Sequence, residues 1–270
     1  MNTSNPQAFI ELPGSEVRQK FDEIETGIFR AIDFLKSEFN VFSLKLLPME
    51  NILVVLTAFF ASSQKQPPPI PEEQNKVIKQ WFWRACLSQR YARGGSKITD
   101  TDLEEVRNLK NNTPNKLGDF EHNIDYNYFI KNAFNMSSIA TKTFILLLAH
   151  NKPLTFIQGT SISLDNVLSQ GNRKEFHHIF PKAYLKTFGD IYKDEQINCL
   201  ANFSLLVRTD NNKIKDKSPI EYLNEMPTNE DSRETILKTH FCSTAMLKND
   251  YNIFLRERAD LLMKKVQELS

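Results

Sequence analysis

Apolar residues in the first part of the chain recur at the spacing of α-helices. Between residues 15 and 39 they follow each other at steps of three and four, which is one helical face: Phe21, Ile24, Ile28, Ile32 and Leu35. The apolar stretch at 49–62 predicts a second helix, and the prolines that follow at 67–71 interrupt the pattern. The chain therefore begins with helices joined by a proline-rich connector.

A third helix is predicted to start at the segment "PEE" of residues 71–73. Proline suits a first helical turn, and acidic side chains suit its positive end. The helix should continue through "WFW" at 81–83 and stop at the two glycines, Gly94 and Gly95. The spacing of Thr101 and Glu104 predicts a capping box, and so a separate short helix.

The pattern changes after residue 151. The segments 155–180 and 201–209 contain β-branched and aromatic residues separated by turn-forming residues, which predicts a short strand in each. Further helices are predicted at 125–134, 137–150, 181–188, after an N-cap at Ser218, at 230–240 and at 246–269. We expect a mainly α protein in two parts: a helical module, residues 1–150, and a module of residues 151–270 with a small strand–strand–helix element.

Composition narrows the class of protein only slightly. With 270 residues, 40% hydrophobic and 25% charged, the chain has enough apolar material for a substantial core. Its longest apolar run, residues 52–61, is too short to cross a bilayer, and no leader-like N-terminus is visible, so we expect a cytoplasmic protein. Three widely spaced cysteines encode neither a disulfide framework nor a cysteine zinc site. A net charge of +1 neither requires nor excludes nucleic acid.

The segment "EFHHIFPKAYL" of residues 175–185 carries the strongest chemical signal. Two of the five histidines, His177 and His178, are adjacent there. Downstream, "LANFSLLVRTDNNKIKDKSPIEYL" runs from a predicted strand into an Asp-Asn-Asn segment that is expected to start a helix. Strand alternation points adjacent side chains to opposite faces, so the two histidines share one site only if the strand twists or ends there. Pro181 favours an ending.

Residues 174–223 resemble the HNH nuclease fold, also called ββα-metal or His-Me finger. They are most similar to the C-terminal nuclease domain of GmrSD-type restriction endonucleases, and the upstream segments "KLLPMENILVVLTAFFA" and "IKQWFWRACLSQRYARGG" resemble the helical region before that domain. The resemblance implies metal-dependent cleavage of DNA, within restriction or defence against phage. A catalytically silent DNA-binding or assembly subunit is the alternative, and RNA is a second candidate substrate.

The resemblance also implies roles for individual residues. His178 takes the position of the general base and His177 that of a metal ligand. Asn202 corresponds to the asparagine that braces the loop between the strands, and counting from it gives Asn211 as the second metal ligand, with Asn212 as the alternative. A histidine with an ordinary pKa of about 6.5 accepts a proton from water at neutral pH, which is what phosphodiester hydrolysis needs.

The identity of the metal stays open at this point. Many HNH nucleases have aspartate where this chain has His177, and a neutral nitrogen ligand shifts preference from magnesium towards transition metals. We expect Mn²⁺ or Mg²⁺, with Ni²⁺ and Zn²⁺ as further candidates. Asp210 is an alternative oxygen ligand, although its position also suits a helix N-cap.

The resemblance further implies a protein partner. GmrSD-type enzymes have an additional N-terminal domain with an Asp-Gly-Gln-Gln-Arg-like motif for nucleotide use, which is not found here. The chain looks like the nuclease half alone, so we expect a separate subunit to supply recognition or nucleotide-driven control.

Two groups of basic residues are candidates for binding DNA. They are Arg84, Arg90 and Arg93 in the helical module, and Lys213, Lys215 and Lys217 beside the predicted metal ligand. For each group, a plain solvated surface is the alternative. The "WFW" segment could stack on bases, but its residues fall at core spacing, and we expect core.

Overall fold

The computed structural model describes residues 13–64, 67–171 and 175–270. The chain divides into two compact units, the first formed by residues 1–39, 47–123 and 269–270 and the second by 40–46 and 124–268. The described part of the first unit is helical and contains α1 (Gly14–Phe39), α2 (Asn51–Phe60), α3 (Glu72–Ser88) and α4 (Gly95–Lys110). The helices expected in this half are therefore present, with changes at the end of α3 and at the start of α4.

The core of the first unit is built on α3. The rings of Trp81, Phe82 and Trp83 are buried. Phe39, the last residue of α1, stacks on Phe82 with ring centroids 3.6 Å apart. The expectation that "WFW" is core is confirmed. Ile78, Trp81, Phe82 and Ala85 lie at the spacing of one helical face and are all buried, and Trp83 is buried as well.

Helix α1 lies very close to α2 at Gly27. A β-carbon at that position would lie 2.6 Å from the carbonyl oxygen of Thr57, so only glycine allows this approach. The helical spacing of α1 is as expected, but the burial is uneven. Leu35 is 1% exposed, whereas Phe21 is 59% exposed, so the apolar face is covered only towards its C-terminal end.

The predicted capping box at Thr101 is wrong. Gly94 adopts a left-handed conformation (φ 67°), and α4 begins directly after it. Thr101 and Glu104 consequently lie inside the helix, where the Thr101 hydroxyl donates to the carbonyl of Lys97 at 3.2 Å. Gly94 and Gly95 thus start a helix and do not end one. Helix α3 already ends at Ser88, where Gln89 adopts a left-handed conformation (φ 53°), so the expected stop at the two glycines is wrong.

The second unit combines short helices with a small sheet. Its elements, in chain order, are α5 (Asn127–Lys131), α6 (Ile139–His150), α7 (Leu164–Leu168), β1 (Phe176–His178), α8 (Lys182–Lys186), α9 (Asp194–Ile197), β2 (Phe203–Leu205), α10 (Arg208–Ile214), α11 (Pro219–Leu223), α12 (Glu230–Thr239) and most of α13 (Tyr251–Leu269). Short 3-10 turns lie at Leu44–Leu46, Gly189–Ile191, Leu200–Asn202 and Thr244–Lys248. The mainly α fold is confirmed at this level.

Both expected strands are present and pair antiparallel. The register places Phe176 opposite Leu205, His177 opposite Ser204, and His178 opposite Phe203. Side chains directly opposite each other lie on the same face of a sheet. Phe134 stacks on Phe203 at 4.2 Å between ring centroids, which covers one face of the sheet with apolar material.

The boundary between the compact units lies earlier than the expected module boundary at residue 150. It falls after Asn123, so that α5 and α6 belong to the second unit. The physical reason is packing, because α6 contacts β2 and Phe134 stacks on Phe203. Within the described residues, no helix combines the length and the apolar character needed to cross a membrane.

Candidate active site around His178

His178 is the last residue of β1 and is half-buried. Its ring packs against the ring of Phe203, its cross-strand neighbour, with centroids 4.2 Å apart and planes at 43°. Its Nε2 lies 3.1 Å from Oδ1 of Asn198, which follows α9 in the segment between the strands. These two contacts restrict the orientation of the imidazole.

His177 occupies the opposite face of the strand. Its cross-strand neighbour is Ser204, whose hydroxyl pairs with Nδ1 of His240 at 2.8 Å. The other nitrogen of His240, Nε2, lies 2.7 Å from the carbonyl oxygen of Leu154. Strand alternation therefore assigns the two adjacent histidines to different faces, although β1 ends directly after them.

Asn202 braces the segment between the strands from inside. The residue is fully buried, and its Oδ1 accepts from the backbone N–H of Phe180 at 2.9 Å. Its Nδ2 donates to the carbonyls of Phe180 at 3.1 Å and Ile197 at 2.9 Å. This one side chain holds the chain just after β1 against the chain just before β2.

Helix α10 begins three residues before the position expected for its start. Val207 is the N-cap, and Arg208 is the first helical residue. The carboxylate of Glu175, next to β1, accepts from the backbone N–H of Arg208 at 2.8 Å and so joins the strand to the helix. Asn211 is consequently within the helix and half-buried, while Asn212 is exposed. The expected helix-start position for the asparagine is corrected to the helix interior.

Asp210 is neither an N-cap nor a surface carboxylate. It is 2% exposed, and its carboxylate accepts from the backbone N–H groups of Phe156 at 2.5 Å and Ile157 at 3.3 Å. Burial raises the pKa of Asp210, and the two backbone hydrogen bonds partly oppose that rise. Each carboxylate oxygen accepts one of these hydrogen bonds, so Asp210 attaches α10 to a segment 53 to 54 residues earlier in the chain. The two roles considered for Asp210 from sequence therefore give way to a third, structural one.

The two residues expected to bind a divalent ion are neutral ligands. His177 would offer an imidazole nitrogen and Asn211 an amide oxygen, and both residues are half-buried. Across residues 13–64, 67–171 and 175–270, no three His, Cys, Asp or Glu side chains cluster in a way that would hold a metal ion. Two neutral protein ligands leave most coordination positions to water and phosphate, which suits a metal bound together with its substrate.

The three lysines in and after the last turn of α10 differ in their surroundings. Lys213 and Lys215 are exposed. Lys217 is half-buried, and its Nζ pairs with Oε1 of Glu225 at 2.9 Å. Two of the three expected phosphate-binding lysines are thus presented to solvent, and the third has an acidic partner.

The three arginines of the first unit do not form a common basic surface. Arg84 is half-buried and donates to the carbonyls of Gly118 at 2.8 Å and Ser270 at 2.7 Å. Arg93 alone among the three is exposed. The expectation of a three-arginine phosphate-binding face therefore needs correction.

Arg90 has the most clearly structural surroundings of the three. Its guanidinium donates twice to the Asp102 carboxylate, at 2.8 and 2.7 Å, and lies 3.7 Å from the ring centroid of Phe120. Asp102 also accepts from Trp81 Nε1 at 3.1 Å and from the Tyr91 hydroxyl at 2.5 Å. The alternative of a plain solvated surface is also wrong for Arg90, because its guanidinium is paired with the buried Asp102 carboxylate inside the unit.

Sequence reasoning missed Asn198 as a member of the site. It lies 20 residues after His178, and nothing in its local sequence distinguishes it from other asparagines. The only available signal is its place between the predicted strands, in a segment that must fold back on the end of β1.

Comparison with known proteins leaves the family open. No protein-family model matches the chain, and no solved structure matches it. The uncharacterized protein MJ0686 of Methanocaldococcus jannaschii is 27% identical over 279 aligned positions, which cover 92% of this chain and 45% of the archaeal protein. The chain thus spans less than half the length of this relative. Function has to be argued from the site itself.

Proposed function

We propose that the protein is a metal-dependent DNA endonuclease of the HNH type that acts in restriction or in defence against phage. The observation that carries the proposal is the order β1–β2–α10, with His178 at the end of the first strand, Asn202 bracing the connection and Asn211 on the helix. This arrangement supports the proposal because it combines a residue for proton transfer with a candidate metal ligand on one small unit.

His178 is the group that moves the proton. Hydrolysis of a phosphodiester needs a water molecule that loses its proton as its oxygen attacks phosphorus, while the bond to the departing sugar oxygen breaks. A neutral imidazole held by Asn198 and Phe203 has the fixed orientation that such a transfer requires. The ring is half-buried, so substrate and water can reach it.

His177 and Asn211 would hold the divalent ion, with Asn212 as the alternative to Asn211. Mn²⁺ and Mg²⁺ are the proposed ions, and Ni²⁺ and Zn²⁺ are further candidates because one ligand is an imidazole. When bound, the ion supplies Lewis-acid stabilisation of the charge that develops on the phosphate and on the leaving oxygen. Because the two histidines belong to opposite faces of β1, the substrate phosphate would have to lie across the end of that strand.

DNA is proposed to contact two exposed cations of this unit, Lys213 and Lys215. Both follow Asn211 within four residues, so a phosphate bound to them lies next to the proposed metal ligand. In the first unit, Arg93 is the exposed member of the arginine group and is the proposed contact there. Arg84, Arg90 and Lys217 are left out of the proposed DNA surface because each has a partner within the protein.

A separate protein subunit is proposed to supply recognition or nucleotide-driven control. The support is indirect: the archaeal relative carries more than half of its length outside the region that this chain matches. We also propose a cytoplasmic location, where DNA is accessible and where the three buried free cysteines would remain reduced. A chain that alone cleaves one site selectively and at full rate would contradict the need for a partner.

Incubation of the purified chain with supercoiled plasmid tests the proposed reaction. Mg²⁺, Mn²⁺, Ni²⁺ and Zn²⁺ are supplied one at a time, with a chelator control and a parallel incubation with single-stranded RNA. Metal-dependent conversion of supercoiled to nicked plasmid is the expected result. Binding without nicking under all four ions would favour the silent DNA-binding subunit, and cleavage of RNA alone would replace DNA as the substrate.

A further inference from the structure

We infer that Asn198 is a positioning residue for His178. Its amide oxygen holds the ring with the proton on Nε2, so that Nδ1 is the ring nitrogen that accepts a proton. The tautomer follows from hydrogen-bond geometry, whereas its use in catalysis rests on the proposed nuclease function.

The orientation of the Asn198 amide is fixed by Asp194. Nδ2 of Asn198 lies 2.7 Å from the carbonyl oxygen of Asp194, and a carbonyl oxygen only accepts hydrogen bonds. The group facing Asp194 must therefore be the NH₂, and the group facing His178 must be the oxygen. Such a network resolves the usual ambiguity between the two ends of an asparagine side chain.

The tautomer of His178 then follows directly. Oδ1 of Asn198 only accepts, so Nε2 of His178, 3.1 Å away, must carry the hydrogen. In a neutral imidazole only one nitrogen is protonated, and the lone pair is consequently on Nδ1. A general base needs a lone pair at a defined atom, and this contact defines which atom it is.

Asn198 is itself firmly held. Its backbone N–H donates to the carbonyl of Asp194 at 2.9 Å, and its carbonyl accepts from the N–H of Phe134 at 2.8 Å. The next residue, Cys199, forms an antiparallel bridge with Ala133. Because backbone and side chain are both fixed, the amide is arranged before any substrate binds. The ring of Phe203 also contacts the imidazole.

The decisive test is nitrogen NMR of the His178 ring in metal-free protein at alkaline pH. The His178 signals are assigned by their loss in His178→Gln. In the wild type, Nε2 should have the chemical shift of a protonated nitrogen and Nδ1 that of an unprotonated one. In Asn198→Leu this preference should weaken towards that of a free imidazole. Asn198→Asp loses the donor to the Asp194 carbonyl but keeps an acceptor oxygen for Nε2, so Nε2 should stay protonated.

Gln196→Ala is the matched control, because it tests whether weakening α9 alone changes the His178 ring. Gln196 is exposed, and its Oε1 accepts from the backbone N–H of Lys193 at the start of α9, so its removal weakens the same helix without touching the Asn198 amide. It should leave the tautomer as in the wild type. A wild-type ring protonated on Nδ1, or an unchanged ring in Asn198→Leu, would overturn the inference.

Kinetics separate the tautomer from the proposed reaction. If the protein is a nuclease, Asn198→Leu should lower kcat for plasmid nicking about 10-fold or more with little change in KM, since a wrong tautomer impairs proton transfer. Asn198→Asp should recover part of that loss. An Nε2-protonated ring in a protein that cleaves nothing would support the positioning role of Asn198 and count against the nuclease proposal alone.

Discussion

The carboxylate of Glu175 and the backbone N–H of Arg208 are joined by a hydrogen bond of 2.8 Å. Glu175 immediately precedes β1, and Arg208 is the first residue of α10, so this contact ties the strand that carries the histidines to the helix that carries Asn211. The negative charge also lies at the positive end of the helix, which adds a favourable interaction with the helix dipole.

Replacing Glu175 tests this connection. Glu175→Ala should lower the free energy of unfolding by about 1 kcal/mol, the usual effect of losing a helix cap, and Glu175→Gln should lose less because an acceptor oxygen remains. Urea unfolding of the three proteins measures the difference. Glu104→Ala, at an exposed position inside α4, is the control and should change stability by about 0.5 kcal/mol at most. Equal stability of Glu175→Ala and wild type would mean that the contact is not formed in solution.

Asn202 should tolerate neither removal of its amide nor its replacement by a carboxylate. Asn202→Ala leaves the buried N–H and C=O of Phe180 and the C=O of Ile197 without their partner, and unfolding should become easier by about 2 to 4 kcal/mol. Asn202→Asp should be comparably destabilising, because a carboxylate would face two carbonyl oxygens. Calorimetric or urea unfolding provides the measurement, with exposed Asn212→Ala as the control. A mild effect of Asn202→Asp would show that the amide donor is not needed.

Replacing Arg90 should affect the stability of the protein, whereas replacing Arg93 should affect DNA binding. Arg90→Ala leaves the buried Asp102 carboxylate without its cation and should lower the free energy of unfolding by about 3 kcal/mol. Arg93→Ala should leave stability unchanged within about 0.5 kcal/mol but reduce the slope of log K against log salt for DNA binding by about 1. Urea unfolding and salt-dependent fluorescence anisotropy test the pair. A normal salt slope in Arg93→Ala would remove the first unit from the proposed DNA surface.

The buried His240 predicts acid sensitivity. Burial lowers its pKa to about 4, from an unfolded value near 6.5. Above about pH 6.5 the His240 ring is neutral in both the folded and the unfolded protein, so its contribution to the free energy of unfolding is fully present. Between about pH 6.5 and 4 the unfolded chain binds a proton that the folded protein does not. Proton binding by His240 in the unfolded chain should therefore lower the free energy of unfolding by up to about 1.4 kcal/mol for each pH unit in this range.

His240→Gln provides the comparison, because it keeps a donor for the Leu154 carbonyl without a titrating ring. Urea midpoints of both proteins, measured from neutral pH to about pH 4.5, should converge as the pH falls, since other titrating groups cancel in the difference. A wild-type-to-variant gap that is the same at every pH would contradict the account of His240.

Local pattern was sufficient where neighbouring residues decide the structure. The burial of "WFW", the two strands and the start of α11 at Ser218 all follow from spacing and capping chemistry, and Ser218 does form a capping box with Glu221. The same reasoning failed at Thr101, where an equally good capping pattern lies inside a helix that had already begun.

The site depends on contacts between residues far apart in sequence, and these were not predictable from local pattern. Asp210 caps a turn more than 50 residues away, and Asn198 reaches back 20 residues to His178. The residue type alone does not predict the hydrogen-bond partner, because Asp and Asn make many kinds of hydrogen bond. Only Asn202 was anticipated in its contacts, and that came from the family resemblance.

In the proposed reaction, His178 moves a proton while His177 and Asn211 hold the metal ion. Nicking of supercoiled plasmid over a range of Mn²⁺ concentrations, with wild type, His178→Ala, His177→Ala and Asn211→Ala, tests it most directly. His178→Ala should be slower by about 10²- to 10⁴-fold at every Mn²⁺ concentration, whereas the other two should regain activity as Mn²⁺ rises. Cleavage by His178→Ala at the wild-type rate would contradict the account.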